Sequence, residues 1–349
     1  MQSSTKYLSN YSGGNISMLT LSCNSSNGTV QLQWNQASVN GWFAFTIAVC
    51  VFGTVSLLLL LTVALTKRLH HGAGFLIIHL SCLQLFLCAI SYPFSTTDIY
   101  LALIPDQAVR FAIHCPSFLF IFKVTLHTEM WSSVLLAVNR CVAVALPHHY
   151  RMMTTKVALA SMIGVAWVIA LAVNIPLLFG VGLDLKRDHP VEYCLAMPND
   201  SVYGRVYLVM ERYLPLGVKG VMHFALFLHI HVKRIKGRKS VKPLVPSTGK
   251  VPSRNLQKPR TTTASKSAHA QRGGRNIVLA EILGVSFIWK CVCFLPGPIS
   301  QEVYPALYSS SQILQFWMLR TFALCGYAAN PIFFFALSSD YQTAVAQLL

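Results

Sequence analysis

Apolar residues in this chain come in long blocks, not in the alternating or three-and-four rhythm of elements that turn one face to water. Seven mostly apolar runs of 20 or more residues cover about 42–66, 73–94, 112–146, 157–180, 203–231, 277–298 and 313–337. At 1.5 Å of rise per residue, a run of ~20 residues crosses a ~30 Å hydrocarbon layer. The pattern therefore predicts an all-α protein, a seven-transmembrane helix bundle spanning 42–337. Prolines interrupt several runs, at Pro93, Pro176, Pro215, Pro296, Pro298 and Pro331. Inside a bilayer such prolines persist only where neighbouring helices satisfy the carbonyls they release, which predicts a packed bundle. The third run ends in Asn139-Arg140-Cys141 and leads into Pro147, so a guanidinium stands at its inner end.

Composition agrees with a lipid solvent. Hydrophobic residues make up 54% of the 349, charged residues 11%, and mean hydropathy is +0.52. Soluble domains are about a quarter charged. The net charge of +17 is unevenly placed: thirteen Lys and Arg, with no acid among them, fall between Lys233 and Arg275. Lys67, Arg68, Arg151 and Lys156 lie in loops on the same side. This asymmetry assigns those loops to the cytosol and residues 1–41 to the outside, and it removes the case for a nucleic-acid partner. Asn-x-Ser/Thr acceptors at Asn10, Asn15, Asn24, Asn27 and Asn199 all fall on the outer side, as glycosylation requires. No charged n-region precedes an apolar h-region at the N-terminus, so the first span is expected to be the insertion signal. The expected location is the plasma membrane, with a glycosylated extracellular tail. The basic loop 232–276 reads as solvated, with affinity for anionic membrane lipids and phosphorylatable hydroxyls at Ser240, Thr261 and Ser265. Residues 338–349 read as a short amphipathic juxtamembrane helix.

Most of the ten cysteines lie inside apolar runs as small buried hydrophobes. Cys115 opens the third run and Cys194 lies in the second outer loop, both in an oxidising compartment, so a disulfide between them is expected. Cys23 has no evident partner.

Six landmarks in order give the chain a resemblance to rhodopsin-like (class A) G-protein-coupled receptors over nearly its whole length. Cys115 and Arg140 are 25 residues apart, about 37 Å of helix. Asn139-Arg140-Cys141 with Pro147 resembles the family's Asp-Arg-Tyr motif and its following proline. Trp167, Pro215, Cys293-Phe-Leu-Pro296 and Asn330-Pro331-Ile-Phe-Phe334 resemble the landmarks of spans four to seven. The resemblance implies a heterotrimeric G protein as partner, contacted by Arg140, with Phe294, Pro296, Asn330, Pro331, Phe334 and His223 at the positions that switch on activation. Departures are many. Thr54 replaces an asparagine, Gln84 an aspartate, His223 and Phe334 tyrosines, Phe294 a tryptophan, Lys290 a phenylalanine and Glu129 a serine. The family's sodium site is thereby lost, and a buried Glu129–Lys290 salt bridge is expected in its place. The absent acid beside Arg140 argues for basal signalling, whereas the absent tyrosine hydroxyls argue against it.

On the ligand side the resemblance implies a pocket around Phe122, Lys123, Leu126, Arg212 and Arg320. Amine receptors carry an aspartate where Phe122 stands, and retinal proteins a lysine where Leu324 stands. Three cations against Glu211 point to an anionic ligand, a small carboxylate or acidic lipid. The alternative is that these charges pair with one another or reach the interface. No HExxH, glycine-rich phosphate loop or paired metal-ligand motif supports an enzyme, a metal or a cofactor. A transporter using Lys219, Lys290 and Glu129 as a polar path is opposed by the odd span count and the lack of internal repeats. A receptor-like protein that signals only by association is the other alternative.

Overall fold

The computed structural model describes residues 21–22, 31–32, 36–66, 74–104, 114–181, 183–187, 194–198, 201–240, 261–304 and 312–347. Asn10, Asn15, Asn24, Asn27, Asn199, Lys67, Arg68 and loop residues 241–260 lie outside the described residues, as do the side chains of Arg212, Lys233, Arg234 and residues 236–276. The first span is Gln36–Thr66, the second Gly74–Leu103, the third Cys115–Ala145 and the fourth Lys156–Phe179. The fifth runs from Val202 to Ser240, and the sixth comprises Thr261–Phe294 and Pro296–Val303. The seventh occupies 312–337 in consecutive pieces, followed by a short helix, Ser339–Ala346. Residues 233–240 and 261–276, loop by composition, are helical: Lys, Arg, Ala and Gln favour helix, and no proline falls between Thr261 and Phe294.

Among the described residues, five helices are long and apolar enough by themselves to cross a membrane: Gln36–Leu65, Gly74–Leu103, Lys156–Phe179, Val202–Val232 and Ile277–Ser300. The third carries Lys123, Glu129 and Arg140, and the seventh is interrupted. Large side chains such as Phe52, Val55, Val168, Phe224 and Ile288 face outward, as lipid contact demands.

Three wide turns, each closed by a bond from a residue to the carbonyl five before it, mark the second, fifth and seventh spans. They are Leu87–Ser91, Val209–Tyr213 and Phe316–Thr321. Two of them end two residues before Pro93 and Pro215. A proline removes a donor and crowds the carbonyl four residues back, and a wide turn just before it relieves that crowding. The second span consequently continues past Pro93 to Leu103.

Inside, Leu60, Ile77, Leu136, Ile282 and Phe334 form the inner core, with Tyr341 of the last helix set edge-on against Phe334 at 5.5 Å. Leu57, Leu87, Tyr92, Phe122, Leu324 and Tyr327 form the middle core. Small residues bring helices together: a Cβ on Gly53 would come within 2.9 Å of Ala328 Cβ, and one on Gly326 within 2.7 Å of the Phe294 ring. At the outer end the hairpin Leu183–Arg187 with Cys194–Pro198 is fixed to the third span by the Cys115–Cys194 disulfide, Cα–Cα 5.6 Å. Cys194 N–H also donates to Asp98 Oδ2 at 3.0 Å. This hairpin and the pairing of Leu21–Ser22 with Gln31–Leu32 are strand additions to an otherwise helical fold.

Candidate functional site

The third span runs through the middle of the bundle and presents polar side chains at three depths. Glu129 is at the centre, its residue 0% exposed. Lys290 of the sixth span, 2% exposed, donates its Nζ to Glu129 Oε1. Gln84 Nε2 of the second span donates to the same oxygen at 2.7 Å. Gln84 Oε1 accepts from Asn330 Nδ2 at 2.8 Å, and Asn330 Oδ1 accepts from Ser286 Oγ at 2.7 Å. The chain Lys290–Glu129–Gln84–Asn330–Ser286 thus ties spans two, three, six and seven. Lys290 also lies 5.0 Å above the Tyr327 ring, and Phe294 sits edge-on to that ring at 5.2 Å. A bound sodium ion does not fit this layer, because the positive charge at the carboxylate is already supplied by a lysine of the protein.

At the inner end Arg140 is 3% exposed and Asn139 fully buried. Asn139 is an amide and supplies no charge to its neighbour; both of its amide atoms are buried without a hydrogen-bond partner among the described residues. Arg140 instead shares a side-chain hydrogen bond with Tyr150 of the short helix Pro147–Met153, and Tyr341 is also close enough to act on it. Cys141 Sγ donates to Met222 O at 3.2 Å, which joins the third span to the fifth. His223 stacks on Phe287 at 5.2 Å and lines a small cavity below Lys290. Pro331 opens the helix Asn330–Leu337, and Pro296 opens the outer piece of the sixth span.

In the outer half, Lys123 Nζ meets Glu211 Oε1 at 2.6 Å and stands 5.8 Å over the Tyr207 ring. Below it, His127 Nδ1 is 3.0 Å from Asn174 Nδ2, and Tyr207 Oη donates to Asn174 Oδ1 at 3.2 Å. Phe122 is edge-on to Tyr92 at 5.3 Å, with Leu126 packed in the same cluster. Arg320 donates to Ser95 Oγ of the second span. Lys123 and Arg320 therefore engage different helices, five and two. Nearby, Trp42 Nε1 donates to Thr321 Oγ1 at 2.9 Å, with Thr46 Oγ1 3.0 Å from the same hydroxyl. Sequence reasoning did not single out His127, Asn174, Thr321 or Tyr327. The available signal was a polar group within an apolar run, which Ser and Thr also give without meaning, since they bond their own helix backbone.

The general description of seven-transmembrane receptors of the rhodopsin family matches residues 55–334, from the first span to Phe334. The chain belongs to this family. Its members are receptors, not enzymes, and the protein is a multi-pass plasma-membrane protein with its N-terminus outside. The seven-span helical fold and the outer disulfide read from the sequence hold. Among relatives, a D(2)-like dopamine receptor of Takifugu rubripes is 27% identical over 197 residues, covering 56% of this chain and 39% of its own length. The 5-hydroxytryptamine receptor 1F of Cavia porcellus is 22% identical over 336 residues, covering 85% and 88%. The D(2) dopamine receptor A of Xenopus laevis is 27% identical over 171 residues, covering 48% and 37%. Matches to the two dopamine receptors thus span under half of their length.

Proposed function

We propose that this receptor transmits a signal across the plasma membrane to a heterotrimeric G protein, and that the Glu129–Lys290 bridge holds its inactive state. The carrying observation is where charge is found along the third span. Asn139 removes the acid next to Arg140, while Glu129, three turns outward, holds Lys290 of the sixth span. The restraint between spans three and six has moved from the inner rim to the middle of the bundle. Opening the inner end must strain or break that bridge, and Arg140 is then released from Tyr150 to meet the G protein.

Basal second-messenger output in cells, corrected for surface expression, tests this. Glu129→Leu combined with Lys290→Leu is expected to raise it, and Arg140→Ala to abolish it. An unchanged output in the double variant sinks the restraint; an unchanged output in Arg140→Ala sinks G-protein coupling through this residue.

We further infer an anionic ligand, a small carboxylate or acidic lipid. The amine-receptor aspartate is replaced by Phe122, which is buried on Tyr92. The outer carboxylate Glu211 is engaged by Lys123, so an ammonium ligand would have to displace that lysine from it. Arg320, which donates to Ser95 Oγ, brings to the outer half of the bundle a guanidinium suited to a carboxylate. In a coupling screen of acidic lipids and carboxylates, Arg320→Ala should remove any response found; a retained response counts against the assignment.

A further inference from the structure

Beneath the Glu129 layer lies a small cavity with room for about one water-sized species. Its polar lining comes from Gln84, Ser133, Lys219, His223, Ser286, Lys290 and Asn330. The charges around it do not balance. Lys219 and Lys290 bring two ammonium groups, and Glu129, whose Oε1 already takes Lys290 and Gln84, is the carboxylate at this depth among the described residues. Lys219 is 7% exposed and makes no hydrogen bond or ion pair among the described residues; its Nζ is 5.6 Å from the Phe287 ring, a far weaker partner than an anion. His223 is 9% exposed, and its Nε2 is buried without a partner among the described residues. An ammonium left without counter-charge in a bundle core is strongly disfavoured.

We propose that this cavity binds a single small inorganic anion of the halide type. The lining is rich in donors: the three N–H bonds of Lys219, those of Lys290 not spent on Glu129, and His223 Nε2 when it carries the proton. Ser286 Oγ already donates to Asn330 and Ser133 Oγ to the Met130 carbonyl. A cation is repelled, a water molecule satisfies donors without offsetting charge, and a polyatomic anion such as sulfate exceeds the space. A monatomic anion meets charge and donors together and is the smallest species that does both. Phe287 contacts both Lys219 and His223; a Cβ on Gly220 would come within 3.2 Å of its Cζ, so the glycine admits this close approach.

Purified full-length protein in detergent is titrated from sodium gluconate into sodium chloride at constant ionic strength while thermal unfolding is followed. Wild type should gain on the order of a few degrees in Tm, saturably, and bromide should substitute for chloride. Lys219→Met and His223→Phe should lose the gain. A flat wild-type titration, or an equal gain in both variants, overturns the site. Should the variants fail to fold, the chloride-35 NMR linewidth of the wild-type sample decides: broadening that bromide reverses supports the site, and its absence overturns it.

Discussion

The third span holds two lysine–glutamate pairs, and they differ in nearly everything except chemistry. In the outer pair, Lys123 and Glu211 are 15% and 8% exposed in their side chains and bridge spans three and five. In the central pair, Lys290 and Glu129 are 2% and 0% exposed and bridge spans three and six. The outer pair lies near the mouth of the bundle, where water and ions reach part of it. The central pair lies deep in the bundle and is tied to Gln84 and, through it, Asn330. Where water is close, a pair is weakly held and adjustable; where it is absent, its members become obligatory to one another. The outer pair is therefore suited to exchange partners when a ligand arrives, and the central one to hold a state.

Removing one central partner should give the largest effect. Lys290→Met leaves a buried carboxylate without its cation and is expected to destabilise the protein by about 3–5 kcal/mol, with Glu129→Leu plus Lys290→Met costing less than either single change. Thermal unfolding of the three variants checks the ordering, and a double variant worse than both singles would break the contrast between the pairs. Next comes Gln84→Leu, which strips a donor from Glu129 and leaves Asn330 without its acceptor; about 1–3 kcal/mol is expected in the same measurement. The smallest loss should follow Lys123→Met, about 1–2 kcal/mol, between the exposed and buried limits. Raising sodium gluconate, whose anion is too large for the cavity beside Lys290, from 0.05 to about 0.5 M should shrink the Lys123→Met loss and leave the Lys290→Met loss unchanged, because screening acts where ions can reach. Equal salt responses would erase the distinction.

The span pattern was legible because hydrocarbon thickness sets a length that any apolar run must meet. Glu129 and Lys290 were visible as charges within such runs, and counting from Arg140 and Pro296 put them at similar depth. Gln84 stood out by the same logic. Lys123 and Glu211 were visible as charges too, yet their pairing depends on the rotation of the fifth span, which the wide turn at Val209–Tyr213 alters. Tyr150 beside Arg140 could not be read: the helix Pro147–Met153 folds back on the bundle through loop geometry that no periodicity encodes. The cavity around Lys219 and His223 was equally hidden, since it arises from how five helices fail to fill a space.

The wide turn at Phe316–Thr321 has a consequence for how positions in this receptor are matched to those of its relatives. It has no proline to account for it, and it carries Arg320 toward Ser95 and Thr321 toward Trp42. In a plain α-helix each residue advances the direction of the side chain by about 100°. One extra residue in a turn is a phase slip of that size. Numbering outward from Pro331 keeps step with an unbroken helix only as far as this turn; beyond it, equal numbers name different faces. Deleting one residue between Phe316 and Arg320 would restore the phase of a plain helix and swing the outer end of the seventh span, Gln312–Gln315, about a quarter turn around its own axis.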